Sequence, residues 1–204
     1  VFEIIKAGGW MMWPIIGCSV LALAIICERF WTLRSGRIMP SNLIPYVWSL
    51  HRKEQLDSVR IRQIRMSSPL GTVLAAGLVN HHHGREVMMD SLEQAGRAVV
   101  HELGRHLTTL GTIAAISPYL GLLGSVLGMI KVFSAFSAAQ GVGNPAQLAG
   151  GISEILISTA SGLAIAIPSL MFHRHFHARI EDFTVRMEEE ALRLVEMLHG
   201  ERED

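Results

Sequence analysis

Residues 150–168 read GGISEILISTASGLAIAIP, a stretch of apolar and small residues with one acid, Glu154, inside it. No Lys, Arg, Asp or Glu occurs between Lys131 and Glu154, nor between Glu154 and Arg174. So long an uncharged run is what a membrane-crossing helix requires. A charge at the middle of a bilayer costs roughly 2.5–3.5 kcal/mol on insertion scales. Glu154 therefore needs something other than lipid to face. At about 100° per residue on a helix, Gly151, Glu154, Ser158, Ser161 and Ser169 fall within about one third of the circumference. This small, polar stripe carries the acid and is a candidate pore lining. Two readings compete for Glu154. It is held in a structural pair by Lys131 or by hydroxyls, or it is a protonatable site on an ion path, the default expectation for an intramembrane acid. The second is the reading adopted.

Two further apolar segments lie upstream. Segment one occupies residues 10–33 around PIIGCSVLALAII, with Trp10 and Trp13 at one end and Phe30 and Trp31 at the other. From Trp10 to Trp31 a helix extends about 32 Å, close to a bilayer core. Aromatic residues at both ends suit the interfacial belts. A secretory leader fits poorly, because the basic residues follow the apolar run. Segment two occupies residues 107–136 and contains LTTLGTIAAISPYLGLLGSVLGMI, which has no charged residue. Its Gly121, Gly124 and Gly128 include one GxxxG spacing, a device for close helix approach in lipid. Three spans are few to enclose a path, so this glycine face is expected to pack between subunits. Pro118 is a candidate kink, and Lys131 near the outer end can snorkel. Segment three occupies 148–172, and the short uncharged link at 137–147 makes segments two and three antiparallel neighbours.

Basic residues set the orientation. Arg34, Arg37, Arg52, Lys53, Arg60, Arg62 and Arg65 follow segment one, and Arg174 and Arg179 follow segment three. The link carries none and residues 1–9 carry only Lys6. The positive-inside rule then places residues 1–9 and 137–147 outside, and residues 34–106 and 173–204 in the cytoplasm. In the middle region, Val87, Leu92, Ala95, Val99, Leu103, Leu107 and Leu110 recur at helical spacing, which predicts that segment two continues below the membrane as one long helix. Phe176, Ile180, Phe183, Met187, Ala191, Leu194 and Leu198 repeat the pattern after segment three, and each stripe can bury the other. Residues 40–69 read as shorter helices broken by turns.

Other features bound the function. The chain has 18 basic and 18 acidic residues, so nothing favours nucleic acid as a partner. Cys18 and Cys27 stand about 13 Å apart along a helix, too far to bridge, and read as buried free thiols. His81 to His83 read as a polar turn rather than a metal site. His173, His175 and His177 read as interfacial residues, with proton buffering at a cytoplasmic exit as the alternative. No nucleophile–base pair, metal cluster or phosphate loop supports an enzyme, and no cofactor is implied.

SPYLGLLGSVLGMI (117–130) followed by GGISEILISTASGLAIAIP closely resembles the ExbB/TolQ/MotA proton-channel family, the ExbB/TolQ branch in particular, over nearly the whole chain. The resemblance implies an all-α integral membrane protein of the bacterial inner membrane, with three transmembrane helices and long cytoplasmic helical extensions, assembled as a pentameric ring. It implies partners: an ExbD- or TolR-like single-span protein inside the ring, a TonB- or TolA-like energy transducer, and membrane lipids. Proton flow would turn the ring against the partner. Carried over residue by residue, the third-helix acid falls on Glu154, the hydroxyl after it on Thr159, and the second-helix hydroxyl on Ser125, where the family more often has Thr. Thr159 lies about 140° around the helix from Glu154, so helix geometry by itself does not put both in one lumen. A TonB-linked role is favoured over a Tol-linked one. The rival from another class is a membrane scaffold that conducts nothing.

Overall fold

The computed structural model describes residues 8–53, 55–138 and 145–198. The expectations for Lys6, for most of the 137–147 link and for the end of the 173–204 segment lie outside these residues. Among the described residues there are eight helices and no strand. They are α1 (Met12–Thr32), α2 (Ser35–Ile38), α3 (Leu43–Arg52), α4 (Ser58–Ser67), α5 (Pro69–Val79), α6 (Arg85–Leu103), α7 (Leu107–Ala138) and α8 (Pro145–Leu198). Three of them, α1, α7 and α8, are long and apolar enough to cross a membrane. The chain divides into two compact units, one of residues Val1–Glu28 and His106–His175, the other of Arg29–Arg105 and Phe176–Asp204.

In the first unit, α7 and α8 are antiparallel. Facing residues pair in reverse order: Lys131 with Glu154, Gly128 with Ile155, Ser125 with Thr159, Gly121 with Gly162 and Gly111 with His173. The glycines of α7 are what bring the helices together. A Cβ on Gly121 would lie 2.9 Å from Ser158 O and 3.2 Å from Thr159 Cα, and one on Gly128 would lie 2.8 Å from Ile155 Cγ1. A Cβ on Gly124 would overlap Ser158 Oγ. The glycine face is thus used inside one chain, which corrects the expectation that it packs between subunits. The reason is complementarity: Ser158 and Gly162 supply an equally small face on α8. The bulky residues Leu122, Leu123, Val126, Leu127, Ile152, Leu156, Leu163 and Ile167 point outward instead. On α1, Met12, Ile15, Ala22 and Ile26 are buried while Trp13, Leu21 and Leu23 are exposed. Met11 stands by Gly124 and Glu28 by His106, so α1 also runs antiparallel to α7.

The second unit is a helical core. Ser68 caps α5 by accepting from Gly71 N–H at 3.1 Å, and Pro69 occupies the first turn, where its missing N–H costs nothing. The eleven residues of α5 rise only about 16 Å, too short to span a membrane. This helix, apolar but for Thr72, is buried almost all round through Leu70, Val73, Leu74, Ala75 and Leu78, as a helix apolar on nearly every face must be. Gly77 admits Leu92 of α6, whose Cδ2 would stand 2.8 Å from an added Cβ. Phe176, Ile180, Phe183, Met187, Ala191 and Leu194 of α8 are all buried, and the Phe176 ring meets Phe30 edge-on at 5.1 Å. The buried α6 stripe is Met88, Leu92, Val99 and Leu103; Val87 is exposed and not part of it.

The long helix expected from residue 87 to 110 is broken. α6 ends at Leu103, and His106 adopts a left-handed φ of 65° before α7 begins. In a continuous helix the Leu107 amide would bond to Leu103 O. That oxygen instead accepts from Arg29 Nη1 at 2.8 Å, and Arg29 is 3% exposed. A buried guanidinium at a helix C-terminus meets both the unsatisfied carbonyls and the negative end of the dipole. Hydrophobic spacing cannot report such a partner 74 residues away. Cys18 is partly buried but Cys27 is exposed, which corrects the reading of both as buried. His81 to His83 lie in the turn after α5, where the His81 and His82 rings stand 3.6 Å apart.

Candidate functional site: an acid and a hydroxyl pair between α7 and α8

Glu154 lies in α8 and its side chain is 24% exposed. Lys131 Nζ donates to its Oε1 at 2.9 Å from α7. On the other side stands Gly9, just before α1, with a φ of 71°. A Cβ there would overlap Glu154 Oε1, so only glycine lets the backbone approach the carboxylate so closely. The acid of α8 is therefore flanked by Lys131 of α7 and by the backbone just ahead of α1. Lys131 was weighed from the sequence as a possible partner. Gly9 was not; the Gly-Gly pair at 8–9 just ahead of Trp10 was the available signal.

Five residues further along α8, about 7.5 Å of rise, Thr159 meets Ser125 of α7 hydroxyl to hydroxyl. Ser125 Oγ also lies 3.0 Å from Ile155 O and 3.1 Å from Gly121 O, and Thr159 Oγ1 lies 3.2 Å from Ile155 O. Each hydroxyl has one proton and more than one acceptor in reach, so one donates to the other while its partner donates to a backbone carbonyl. The two sites share one helix pair but lie on different flanks of α8, as the angular reading of the sequence implied.

The polar stripe divides. Ser158 is fully buried and donates to Gly121 O at 3.3 Å, and Gly151 is pressed against Val132. In the single chain both residues lie in the α7–α8 contact, Ser158 fully buried and Gly151 partly so, because small residues are drawn to the closest helix approach. Ser161 is partly buried and Ser169 is 1% exposed. Gly162, not singled out from sequence, packs directly on Gly121. Its signal was the seven-residue spacing from Glu154's flank at Ile155, too weak to separate from the other small residues. At the opposite end of this unit His106 Nδ1 donates to Glu28 Oε2 at 3.0 Å, and His173 occupies the space that the missing side chain of Gly111 leaves. No group of three or more His, Cys, Asp or Glu among the described residues is placed to hold a metal ion.

The sequence model of the MotA/TolQ/ExbB proton channel family matches residues 65–189, which include Ser125, Lys131, Glu154 and Thr159. The chain belongs to this family. Members named for ExbB are among its relatives. A putative biopolymer transport protein ExbB-like 3 of Synechocystis is 32% identical over 173 residues, 84% of this chain and 82% of the relative. Biopolymer transport protein exbB1 of Vibrio cholerae is 29% identical over 165 residues, 79% of this chain and 72% of the relative. The Tol-Pal system protein TolQ of Haemophilus influenzae is 36% identical over 92 residues, 45% of this chain and 40% of the relative. The family is one of proton channels, and three helices of this chain are long and apolar enough to cross a membrane.

Proposed function

We propose that this chain is the proton-conducting subunit of an ExbB-type motor. It would use the proton motive force, with an ExbD-like single-span partner, to energise a TonB-like transducer. The observation that carries the reading is Glu154: the one Asp, Glu, Lys or Arg between Lys131 and Arg174, one and a half turns from the Ser125–Thr159 hydroxyl pair. In this reading copies of the chain form a ring, a pentamer by family likeness, and the region around residue 145 faces the outer side. A proton arriving at Glu154 neutralises the carboxylate and releases it from Lys131. The neutral side chain can then move along an apolar wall, and the hydroxyls of Ser125 and Thr159 hand the proton toward the cytoplasm. Each charge that crosses yields about 2.3 kcal/mol per 100 mV of membrane potential. The TonB-linked role is the reading adopted, supported by the relatives named for ExbB that align over 84% and 79% of the chain; the ExbB of Salmonella typhimurium and the TolQ relative each align over 45% of it.

The test is proton flux in liposomes holding the chain with its single-span partner. Glu154→Gln keeps the shape and removes the titration, so flux should vanish while the assembly persists. Undiminished flux in that variant would refute the reading; no flux from the wild-type complex would favour a scaffold. Complementation of strains lacking the TonB-linked or the Tol-linked subunit separates the two roles.

A further inference from the structure

Within the second unit, a pocket of about 580 Å³ opens between α2, α4, α5 and α6 beside Thr32, the last residue of the membrane-length helix α1. Its floor and walls are largely apolar, with Ile38, Met66, Pro69, Val99 and Leu103. Two arginines line it, Arg37 from α2 and Arg65 from α4, and neither pairs with a carboxylate among the described residues. The acid in the wall, Glu102, is engaged by Arg105 at 3.3 Å. The hydroxyls are committed as well: Ser67 Oγ donates to Ile64 O at 2.7 Å, Thr72 Oγ1 to Arg65 O at 2.9 Å, and Ser68 Oγ accepts from Gly71 N–H. The polar capacity left in the pocket is cationic and comes from two different helices.

We propose that this pocket seats the phosphate of an anionic phospholipid, with Arg37 and Arg65 gripping its oxygens and the apolar walls receiving the glycerol and the first acyl carbons. Three observations select that ligand. The guanidinium fork matches a phosphate's paired oxygens. The mouth lies where a 21-residue apolar helix ends, which is headgroup depth. Met66 in its wall is 82% exposed, an apolar rim suited to the membrane interface and not to water. Inorganic phosphate shares the oxygen chemistry but gains nothing from the apolar walls. This inference is independent of the proton path.

The experiment uses the purified full chain in detergent. Short-chain phosphatidylglycerol, short-chain phosphatidylcholine and inorganic phosphate are each titrated in, and bound molecules are counted by native mass spectrometry. Phosphatidylglycerol should bind at least tenfold more tightly than either of the others. Arg37→Gln with Arg65→Gln should weaken it at least tenfold, and so should Ala98→Trp, which fills the pocket and leaves both arginines in place. Arg34→Gln, outside the pocket, should leave binding unchanged, and circular dichroism should find all variants equally helical. Equal binding in wild type and the double variant overturns the proposal. So does an equal loss on Arg34→Gln, which would mean diffuse charge, and so does inorganic phosphate or phosphatidylcholine binding as tightly as phosphatidylglycerol.

Discussion

Gly162 offers the sharpest perturbation of the α7–α8 contact. A Cβ added there would lie 2.5 Å from Ser117 O, 3.1 Å from Gly121 Cα and 3.2 Å from Gly121 N. All three are backbone atoms, so no flexible side chain can yield. Bringing the shortest contact out to 3.4 Å requires the helices to part by about 0.9 Å. The same movement would stretch the 3.0 Å approach of Ser125 Oγ to Ile155 O to roughly 3.9 Å, beyond a hydrogen bond. Gly17 of α1 is the control, because nothing lies within 4 Å of a Cβ added there. Glycine to alanine raises helix propensity by about 1 kcal/mol at either site, so that gain cancels in the comparison. Gly162→Ala should then be less stable than Gly17→Ala by about 1–3 kcal/mol, the usual cost of overpacking. Thermal unfolding of both variants in one detergent measures it. Proton flux should fall on the order of tenfold or more in Gly162→Ala alone, since misplacing reacting groups by about 1 Å is enough. Equal stability and equal flux in the two variants would refute the close contact and the relay with it.

Other outcomes follow from single residues. Lys131 is 63% exposed, so Lys131→Gln should change stability by less than about 1 kcal/mol, yet alter proton flux because it removes the 2.9 Å contact that holds the Glu154 side chain in place. Unchanged flux would make the ion pair a bystander. Phe176→Ala removes a ring that is 1% exposed and should destabilise the protein by about 3–5 kcal/mol in denaturant unfolding. Arg29→Met leaves Leu103 O without its buried donor, at a cost of about 1–3 kcal/mol. Amide exchange in the last turn of α6 should quicken there and nowhere else in that helix.

Some of this was legible in the sequence because it depends on local, additive properties. Uncharged length marked the three apolar helices, the 3.6-residue period from Phe176 to Leu194 marked a buried face, and one isolated acid marked Glu154. The motif resemblance supplied Ser125 and Thr159, which no periodicity would have paired. Other features were settled only by the tertiary structure, because each is a choice of partner across the chain. Small residues on α7 fit another small face equally well in the same subunit or the next, and the fold gave them Ser158 and Gly162. The stripe from residue 87 to 110 satisfies helical spacing whether or not the helix is continuous; Arg29, far away in sequence, takes the carbonyl and ends it. Gly9 looks like any turn glycine until Glu154 is found against it. Hydrophobic pattern records which faces avoid water. It carries no record of which buried surface, donor or backbone oxygen will meet them there.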